Sequence, residues 1–290
     1  MSNNSQQETS LVITVPVYKE RLSGYEEISI NRLIAICPHY PIRFFAPEGL
    51  NVSYYINKTS ALSDVGVETF DKGYFKDVIT YSKLLTRPLF YKRFESYEYL
   101  LIYQPDALIF RDDLGFWCSQ GYDYIGAPFF RNYVTEFEKA QYIGVGNGGF
   151  SLRKISSMLR ILHSWKMFYD RDDVKWLKRG KNWKGRIFYE GVYLLGYLGV
   201  YNNTFHLLNG FKGYEDFFWG YFAGPKFSWM KFPDYNEALK FSFEFNCKRL
   251  YADNNFQLPT GCHRWWGPDK DFWMPILQSM DILRPDEVRT

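Results

Sequence analysis

Short apolar runs alternate with a segment of helical periodicity at the start of the chain. Leu11 to Val15 is entirely apolar and ends at Pro16, and Ile42 to Ala46 is a second apolar-rich run that ends at Pro47. Between them, Glu26 to Cys37 carries apolar residues at the spacing of one helix face. Strand, helix and strand within about 35 residues form a βαβ unit. Because wholly apolar strands are typical of sheets covered on both faces, the pattern predicts a mostly parallel central sheet with helices on both faces.

The alternation continues through the middle of the chain. The most strand-like stretch, Tyr99 to Tyr103, is separated by Gln104-Pro105-Asp106 from a further apolar run, Ala107 to Phe110. Further strands are predicted over Val67 to Phe70, Tyr124 to Ala127 and Gly149 to Leu152, and helices over Ser82 to Phe94, Lys154 to Tyr169 and Phe188 to Leu198. Beyond Tyr201 the alternation weakens, which predicts an elaborated C-terminal half. The sequence predicts an α/β fold with one domain over residues 11–280, after a disordered N-terminus at residues 1–10.

Composition narrows the class of partner. The formal net charge of +3 at pH 7 is too small for the clustered basic face expected of a nucleic-acid-binding protein. No signal peptide and no apolar run of about 18 residues occurs, which predicts a cytoplasmic protein without a transmembrane helix and leaves peripheral membrane contact open. The four cysteines lack zinc-site spacing and imply no disulfide framework. Aromatic residues make up 20% of the chain, which fits either a ring-rich core or a groove for sugars and nucleobases.

Two segments carry residues suited to ligand binding. Asp106 follows a buried strand, and in open α/β sheets ligands bind at the carboxyl ends of strands. A carboxylate there can ligate a divalent cation, although an ordinary turn after proline is the alternative. Gly144 to Leu152 holds four glycines before a strand, more than a tight turn needs, and glycines allow close backbone approach to a ligand. This segment is neither Gly-x-Gly-x-x-Gly nor a P-loop.

Two further segments carry candidate catalytic groups. Glu215 and Asp216 are adjacent acids between aromatic residues. One is suited to act as a general base toward a hydroxyl, since apolar surroundings raise the pKa of a carboxylate toward the useful range; a charged helix N-terminus is the alternative. His263, within Gly261-Cys262-His263-Arg264, is suited to ligate a metal or contact a phosphate, with a buried core histidine as the alternative.

In this order and spacing, the segments resemble nucleotide-sugar glycosyltransferases of the GT-A type. In particular they resemble a bacterial and viral family described by a domain of unknown function, DUF5672. The matching segments are Val12 to Tyr18, Tyr81 to Leu85, Tyr99 to Phe110, Tyr122 to Pro128, Gly146 to Arg153, Glu215-Asp216 and Gly261 to His263. The implied fold is GT-A-like.

The resemblance implies a donor site and a mechanism. Its donor-binding residues are Pro16, Val17, Tyr18, Lys83, Gln104, Asp106, Asn147, Gly148, Gly149 and His263. Asp106 matches the last acid of an Asp-x-Asp motif, which binds Mn²⁺ or Mg²⁺ and the donor diphosphate, and His263 is the second implied metal ligand. Because Gln104 replaces the first acid, a metal-free alternative remains, in which Lys83 or Lys212 offsets phosphate charge. Asp216 is the implied base of an inverting displacement, supported by Glu215.

The implied activity is transfer of a sugar from a nucleotide-sugar donor, expected to be UDP-linked, to a hydroxyl of a glycan, glycolipid or glycoprotein, as in polysaccharide biosynthesis. Two alternatives stay open. One is a catalytically inactive sugar- or nucleotide-binding module of the same fold, which Gln104 favours. The other is a nucleotidyltransferase, whose Gly-rich loop with Arg and Lys after the first strand is poorly matched by PVYKERLSG.

Overall fold

The architecture is centred on a six-stranded sheet, in a computed structural model that describes residues 10–131, 141–211 and 213–283. The strands are β1 (Leu11–Pro16), β2 (Ile42–Pro47), β3 (Val65–Phe70), β4 (Tyr99–Tyr103), β5 (Ala107–Ile109), β6 (Tyr124–Ile125), β7 (Ala127–Arg131), β8 (Gln141–Gly146), β9 (Phe150–Lys154), β10 (Ser242–Phe243) and β11 (Gly261–His263). The α-helices are α1 (Gly24–Ile36), α2 (Ser53–Lys58), α3 (Val78–Leu84), α4 (Pro88–Lys92), α5 (Leu114–Ser119), α6 (Ile155–Leu162), α7 (Arg171–Leu177), α8 (Trp183–Gly196), α9 (Thr204–Gly210), α10 (Glu215–Phe217), α11 (Tyr235–Phe241), α12 (Cys247–Asp253) and α13 (Lys270–Ser279).

The central sheet has the strand order β3-β2-β1-β4-β9-β6. β1 pairs in parallel with β2 and β4, and β2 with β3. Only β9 runs antiparallel to its neighbours, β4 and β6. β10, β11 and β5 form a second, small sheet, and β7 pairs with β8. This topology confirms the predicted α/β fold with a mostly parallel central sheet.

Helices cover both faces of the sheet because its central strands are apolar on both sides. Val12 and Leu100 lie in an apolar cluster that also contains residues of α3, α4 and α6. Their neighbours Ile13 and Leu101 lie in a second cluster with residues of α1 and α5. Burial of each such side chain contributes about 1.5–3 kcal/mol. The prediction of helices on both faces is confirmed.

Most of the aromatic excess lies in the core. Four tryptophans are fully buried, and two of them, Trp265 and Trp273, lie in a third apolar cluster built mainly by the C-terminal half. Rings also line the cleft described below. All four cysteines are buried free thiols. No helix in the described ranges is long and apolar enough to cross a bilayer.

Several predicted boundaries differ from the structure. The helix predicted over Ser82 to Phe94 is two helices, α3 and α4, because Arg87 precedes Pro88 and adopts an extended conformation. The helix predicted to reach Tyr169 ends at Leu162. The predicted disordered N-terminus falls almost entirely on residues 1–9, which lie outside the described part of the chain.

Candidate active site

A cleft of about 520 Å³ opens where β4 ends, a size within the range of small-molecule sites. Its lining includes seven residues that the sequence analysis selected: Gln104, Asp106, Gly148, Gly149, Glu215, Asp216 and His263. Rings of Tyr81, Phe129, Tyr214, Phe217 and Phe245 complete much of the wall. The cleft therefore joins segments that are far apart in sequence.

Strand pairing brings these segments together. The backbone N–H of Gln104 donates to the carbonyl of Gly149 at 2.8 Å, which extends the β4–β9 pairing into the glycine segment. In the small sheet, His263 lies opposite Ala107, next to Asp106. Glu244 directly follows β10, which pairs with β11. Two sheets thus deliver an amide, two carboxylates and an imidazole to one place.

His263 is the centre of a buried polar network. Its Nδ1 lies 2.9 Å from Oε1 of Glu244. Its Nε2 lies 3.1 Å from Oδ1 of Asp106 and 3.1 Å from Oε1 of Gln104. The Gln104 amide in turn donates to the Tyr81 hydroxyl at 3.3 Å. Each polar group at this position therefore has a partner, as buried polar groups require.

The network favours the charged imidazole. Burial by itself lowers the pKa of His263, but the carboxylates of Asp106 and Glu244 outweigh it and raise the pKa to about 10. Burial by itself would raise the pKa of Asp106, but the pairing with His263 dominates, and the net effect is a lowered pKa. For Glu244 the effect of burial is larger than that of the hydrogen bond and charge of His263, and the pKa of Glu244 is raised. Without a bound cation, His263 carries a proton on both ring nitrogens at neutral pH.

The same atoms fit a hard divalent cation. Two ligands at right angles on Mg²⁺, each about 2.1 Å from the ion, are about 3.0 Å apart, close to the 3.1 Å between Nε2 of His263 and Oδ1 of Asp106. A carboxylate on Nδ1, here Glu244, is the arrangement that orients histidine ligands in metalloproteins. The described residues contain no group of three or more His, Cys, Asp and Glu side chains that could hold a metal ion. Water and substrate oxygens would therefore complete the coordination.

The acid pair separates into a buried and an accessible carboxylate. Glu215 is 3% exposed, and its Oε1 accepts a hydrogen bond from Nη2 of Arg153 at 2.8 Å. Burial raises the pKa of Glu215 to about 7, opposed by the Arg153 guanidinium. Asp216 is only half-buried, lines the cleft, and accepts hydrogen bonds from the backbone N–H groups of Phe217 and Asn147 at 2.7 and 3.2 Å. These two bonds fix the orientation of the Asp216 carboxylate.

Glycines allow these groups to pack on the backbone. A Cβ on Gly148 would lie 1.9 Å from Oε1 of Glu215, and a Cβ on Gly149 would lie 2.2 Å from the His263 ring. Asn147 adopts a left-handed conformation, with φ of 71°, which asparagine tolerates better than most residues. Its Oδ1 accepts from the Gly149 N–H at 3.2 Å, whereas its buried Nδ2 has no partner. The glycine segment thus shapes the site as well as lining it.

The remaining predicted donor residues lie at the margin of the cleft or away from it. Pro16 and Val17 are buried in and just after β1. Tyr18 is 44% exposed and its ring contacts Tyr81 edge-on at 6.0 Å, so it reaches the cleft through a wall residue. Lys83 is exposed on α3 and is not among the residues that line the cleft. Lys212 lies outside the described residues.

Two important residues were missed from sequence. Glu244 follows the short run Phe241-Ser242-Phe243, and its strand-like alternation was the available signal. Arg153 is fully buried in β9 and also contacts Ser151, Tyr91 and the face of Tyr124. A charged residue inside an otherwise apolar strand indicates a buried counter-charge, which the structure identifies as Glu215.

Comparison with solved structures gives remote neighbours. Core-mannan synthase A (CmsA/Ktr4) from Aspergillus fumigatus, in its Mn/GDP form, is 11% identical, with a TM-score of 0.38 over 74% of this chain and 73% of that chain. The galactosyltransferase LgtC, in complex with donor and acceptor sugar analogs, is 13% identical, with a TM-score of 0.46 over 96% and 99%. The mannosyltransferase Ktr4p from S. cerevisiae is 11% identical, with a TM-score of 0.36 over 68% and 62%.

Sequence comparison gives a family. No curated protein matches the chain significantly. The model of the family described as "Protein of unknown function (DUF5672)" matches residues 64–263, from the residue before β3 to the last residue of β11. This match includes the turn at Asp106, the glycine segment, the acid pair and His263. Since it spans well over half of the chain, the protein belongs to the DUF5672 family.

Proposed function

We propose that this protein is a glycosyltransferase that moves a sugar from a nucleotide-sugar donor to an acceptor hydroxyl. One observation carries the proposal: a single cleft contains the Asp106–His263–Glu244 cluster and the accessible Asp216 carboxylate. The cluster is suited to bind a diphosphate with its cation, and the Asp216 carboxylate is suited to accept the proton of an attacking hydroxyl. We further infer a UDP-linked donor and a glycan, glycolipid or glycoprotein acceptor, as the motif resemblance implies.

The donor diphosphate is assigned to the side of the cleft formed by Asp106, His263 and Arg264. Asp106 and His263 would hold Mn²⁺ or Mg²⁺ there, and a bound cation would offset the charge of the departing diphosphate. Arg264 lines the same side of the cleft and offers donors in a fixed planar fork for phosphate oxygens. Glu244 would keep the His263 ring oriented through Nδ1.

Asp216 is assigned as the general base. As an acceptor hydroxyl attacks the anomeric carbon, its proton passes to the Asp216 carboxylate. A new carbon–oxygen bond then forms opposite the bond that breaks to the diphosphate, so the configuration at that carbon inverts. Glu215 has a different role, because Arg153 occupies its Oε1 and the residue is only 3% exposed. It positions the acid pair through its contact with Gly148.

Substrate screening followed by one variant tests the proposal. Thermal-shift measurements with nucleoside diphosphates and nucleotide sugars, with and without Mn²⁺, identify the donor, since a ligand at 100 times its Kd stabilises by about 2.7 kcal/mol. Asp216→Asn should then bind that donor normally and lose about 10²–10⁴-fold in turnover. Asp271→Asn, an exposed change on α13, is the matched control.

Each outcome bears on a different part of the proposal. If no nucleoside diphosphate or nucleotide sugar stabilises the protein, the transferase assignment fails. Turnover of Asp216→Asn within a few-fold of wild type removes Asp216 from the mechanism and favours a retaining reaction. NMR of the product anomer decides inversion directly.

One observation favours a second candidate, a binding module without catalysis. Gln104 stands where a second acid is expected, and its side chain contacts His263 instead. A binding module would be stabilised by nucleotide sugar but would not slowly hydrolyse it in the absence of acceptor. Donor hydrolysis by the wild type separates the two candidates.

A further inference from the structure

Helix α8 exposes apolar side chains that a soluble fold normally buries. Only Gly196 of its 14 residues is buried. Trp183, Ile187, Phe188 and Leu194 are 66%, 62%, 63% and 61% exposed. A helix with so little core contact and so many large apolar side chains in solvent indicates a binding surface.

These side chains form one stripe. At 100° per residue, Trp183, Ile187 and Leu194 lie within about 40° of each other, and Phe188 and Leu195 widen the stripe to about 140°. That width is typical of the core-facing side of an amphipathic helix. In α8 the stripe faces solvent, so packing against the described residues does not account for it.

The apolar surface continues beyond the helix. Exposed rings and aliphatic side chains extend it through Tyr197, Leu198, Tyr201, Phe205 and Trp165. The rings of Trp165 and Phe205 stack at 6.4 Å. We call these residues, together with the α8 stripe, the α8 surface.

Basic residues flank the α8 surface. The segment from Lys175 to Arg186 contains six basic residues and no acidic residue. Lys181, Lys184 and Arg186 are exposed, and within the described ranges none of them forms an ion pair with a carboxylate. At 100° from Trp183, Lys184 falls inside the apolar stripe itself. The surface is therefore apolar and cationic at once.

We propose that the α8 surface docks the protein on an anionic lipid bilayer. Interfacial helices combine an apolar face rich in Trp, Phe and Leu with Lys and Arg that contact lipid phosphates. Lysine is depleted at the centre of protein–protein interfaces, whereas at a bilayer Lys184 can extend its ammonium to the headgroups. The chemistry thus favours lipid over a second protein.

The segment that leads into α7 and α8 packs against the residues that follow the acid pair. Phe168, before α7, packs on Phe222 with ring centroids 4.9 Å apart, and Phe222 lies in the π-helix that follows α10. Lys226 pairs with Asp173 of α7. If the proposed transferase activity holds, docking would hold the enzyme close to lipid-anchored acceptors. The binding proposal itself does not depend on that activity.

Vesicle flotation tests the proposal. Wild type should bind vesicles of phosphatidylcholine with roughly 30% phosphatidylglycerol and bind pure phosphatidylcholine far less, because anionic lipid attracts each basic residue. Binding should fall as NaCl rises from about 0.1 to about 0.5 M. The coefficient for partition onto anionic vesicles should fall about 100-fold in the triple variant Lys181→Gln/Lys184→Gln/Arg186→Gln, because each basic residue contributes about fivefold. Ile187→Ser/Phe188→Ser should abolish binding at either salt concentration.

Matched controls use exposed residues elsewhere. Lys72→Gln/Lys92→Gln/Lys248→Gln removes the same charge, and Phe116→Ser/Phe256→Ser removes the same apolar class; both should bind vesicles as wild type does. Failure of wild type to bind anionic vesicles at low salt overturns the proposal. So does a stable dimer in light scattering that Ile187→Ser/Phe188→Ser dissociates. Donor thermal shifts should be the same in all these variants, which separates failure here from failure of the proposed activity.

Discussion

Raising the pH of the metal-free protein from about 6 to about 8.5 should lower its free energy of unfolding. The reason is His263, whose imidazole lies between Asp106 and Glu244. Its folded-state pKa of about 10 lies above the ordinary value of 6.5. Between these values the folded state binds more protons than the unfolded chain. The stabilisation is therefore complete below pH 6.5 and is lost as the pH rises toward 10.

The magnitude follows from linkage. The interval from 6.5 to about 10 corresponds to about 5 kcal/mol in total, and roughly half of it is lost between pH 6 and pH 8.5. Burial raises the pKa of all four cysteines, so their ionisation in the unfolded chain also lowers stability. That contribution is about 1–2 kcal/mol at pH 8.5 and grows at higher pH.

Urea unfolding in the presence of EDTA measures the effect. Wild type and His263→Gln are compared at several pH values. The difference between the two curves removes the contributions of the cysteines and of Glu215, whose raised pKa of about 7 also lowers stability as the pH rises. An NMR titration of the imidazole, assigned by the signal missing from His263→Gln, gives the pKa directly. An imidazole that titrates near 6.5, together with an equal pH dependence of stability in wild type and His263→Gln in this window, would refute the reasoning.

Three further predictions concern the same cleft. Glu215→Gln leaves the fully buried Arg153 without its counter-charge and should lower the free energy of unfolding in urea by about 3–5 kcal/mol. The double variant Glu215→Leu/Arg153→Met should recover most of this loss, and equal losses in the two variants would contradict the ion-pair explanation. Gly149→Ala should displace the His263 ring and abolish thermal stabilisation by Mn²⁺. The control is Gly191→Ala on α8, which should raise the free energy of unfolding by about 0.5–1 kcal/mol, because an added Cβ there meets nothing within 4 Å. Mn²⁺ binding at about pH 8 should release close to one proton per ion, because Nε2 of His263 must lose its proton to become a ligand. Calorimetry in two buffers of different ionisation enthalpy measures the number of protons released, and a value of zero would exclude Nε2 of His263 as a ligand.

Local sequence determined the central sheet. The apolar runs at Leu11 and Ile42 favoured strands covered on both faces, and they are β1 and β2. Their alternation with α1 determined the parallel order. The order of the motifs also identified the family, because each motif is a short, continuous segment. The helix prediction over Ser82 to Phe94 was wrong where one proline decided the local conformation.

Only the tertiary structure decided how the site is assembled. His263 meets Gln104 across 159 residues of sequence, and this contact depends on the register of β5 with β11, which periodicity does not encode. Burial likewise distinguishes the two acids, since Arg153 pairs with the buried Glu215, whereas Asp216 is the more accessible of the two at the cleft. The helical pattern near α8 indicated a helix but not that its apolar stripe faces solvent. Local patterns specify which backbone conformation a segment prefers, whereas contacts between distant segments depend on how whole elements pack.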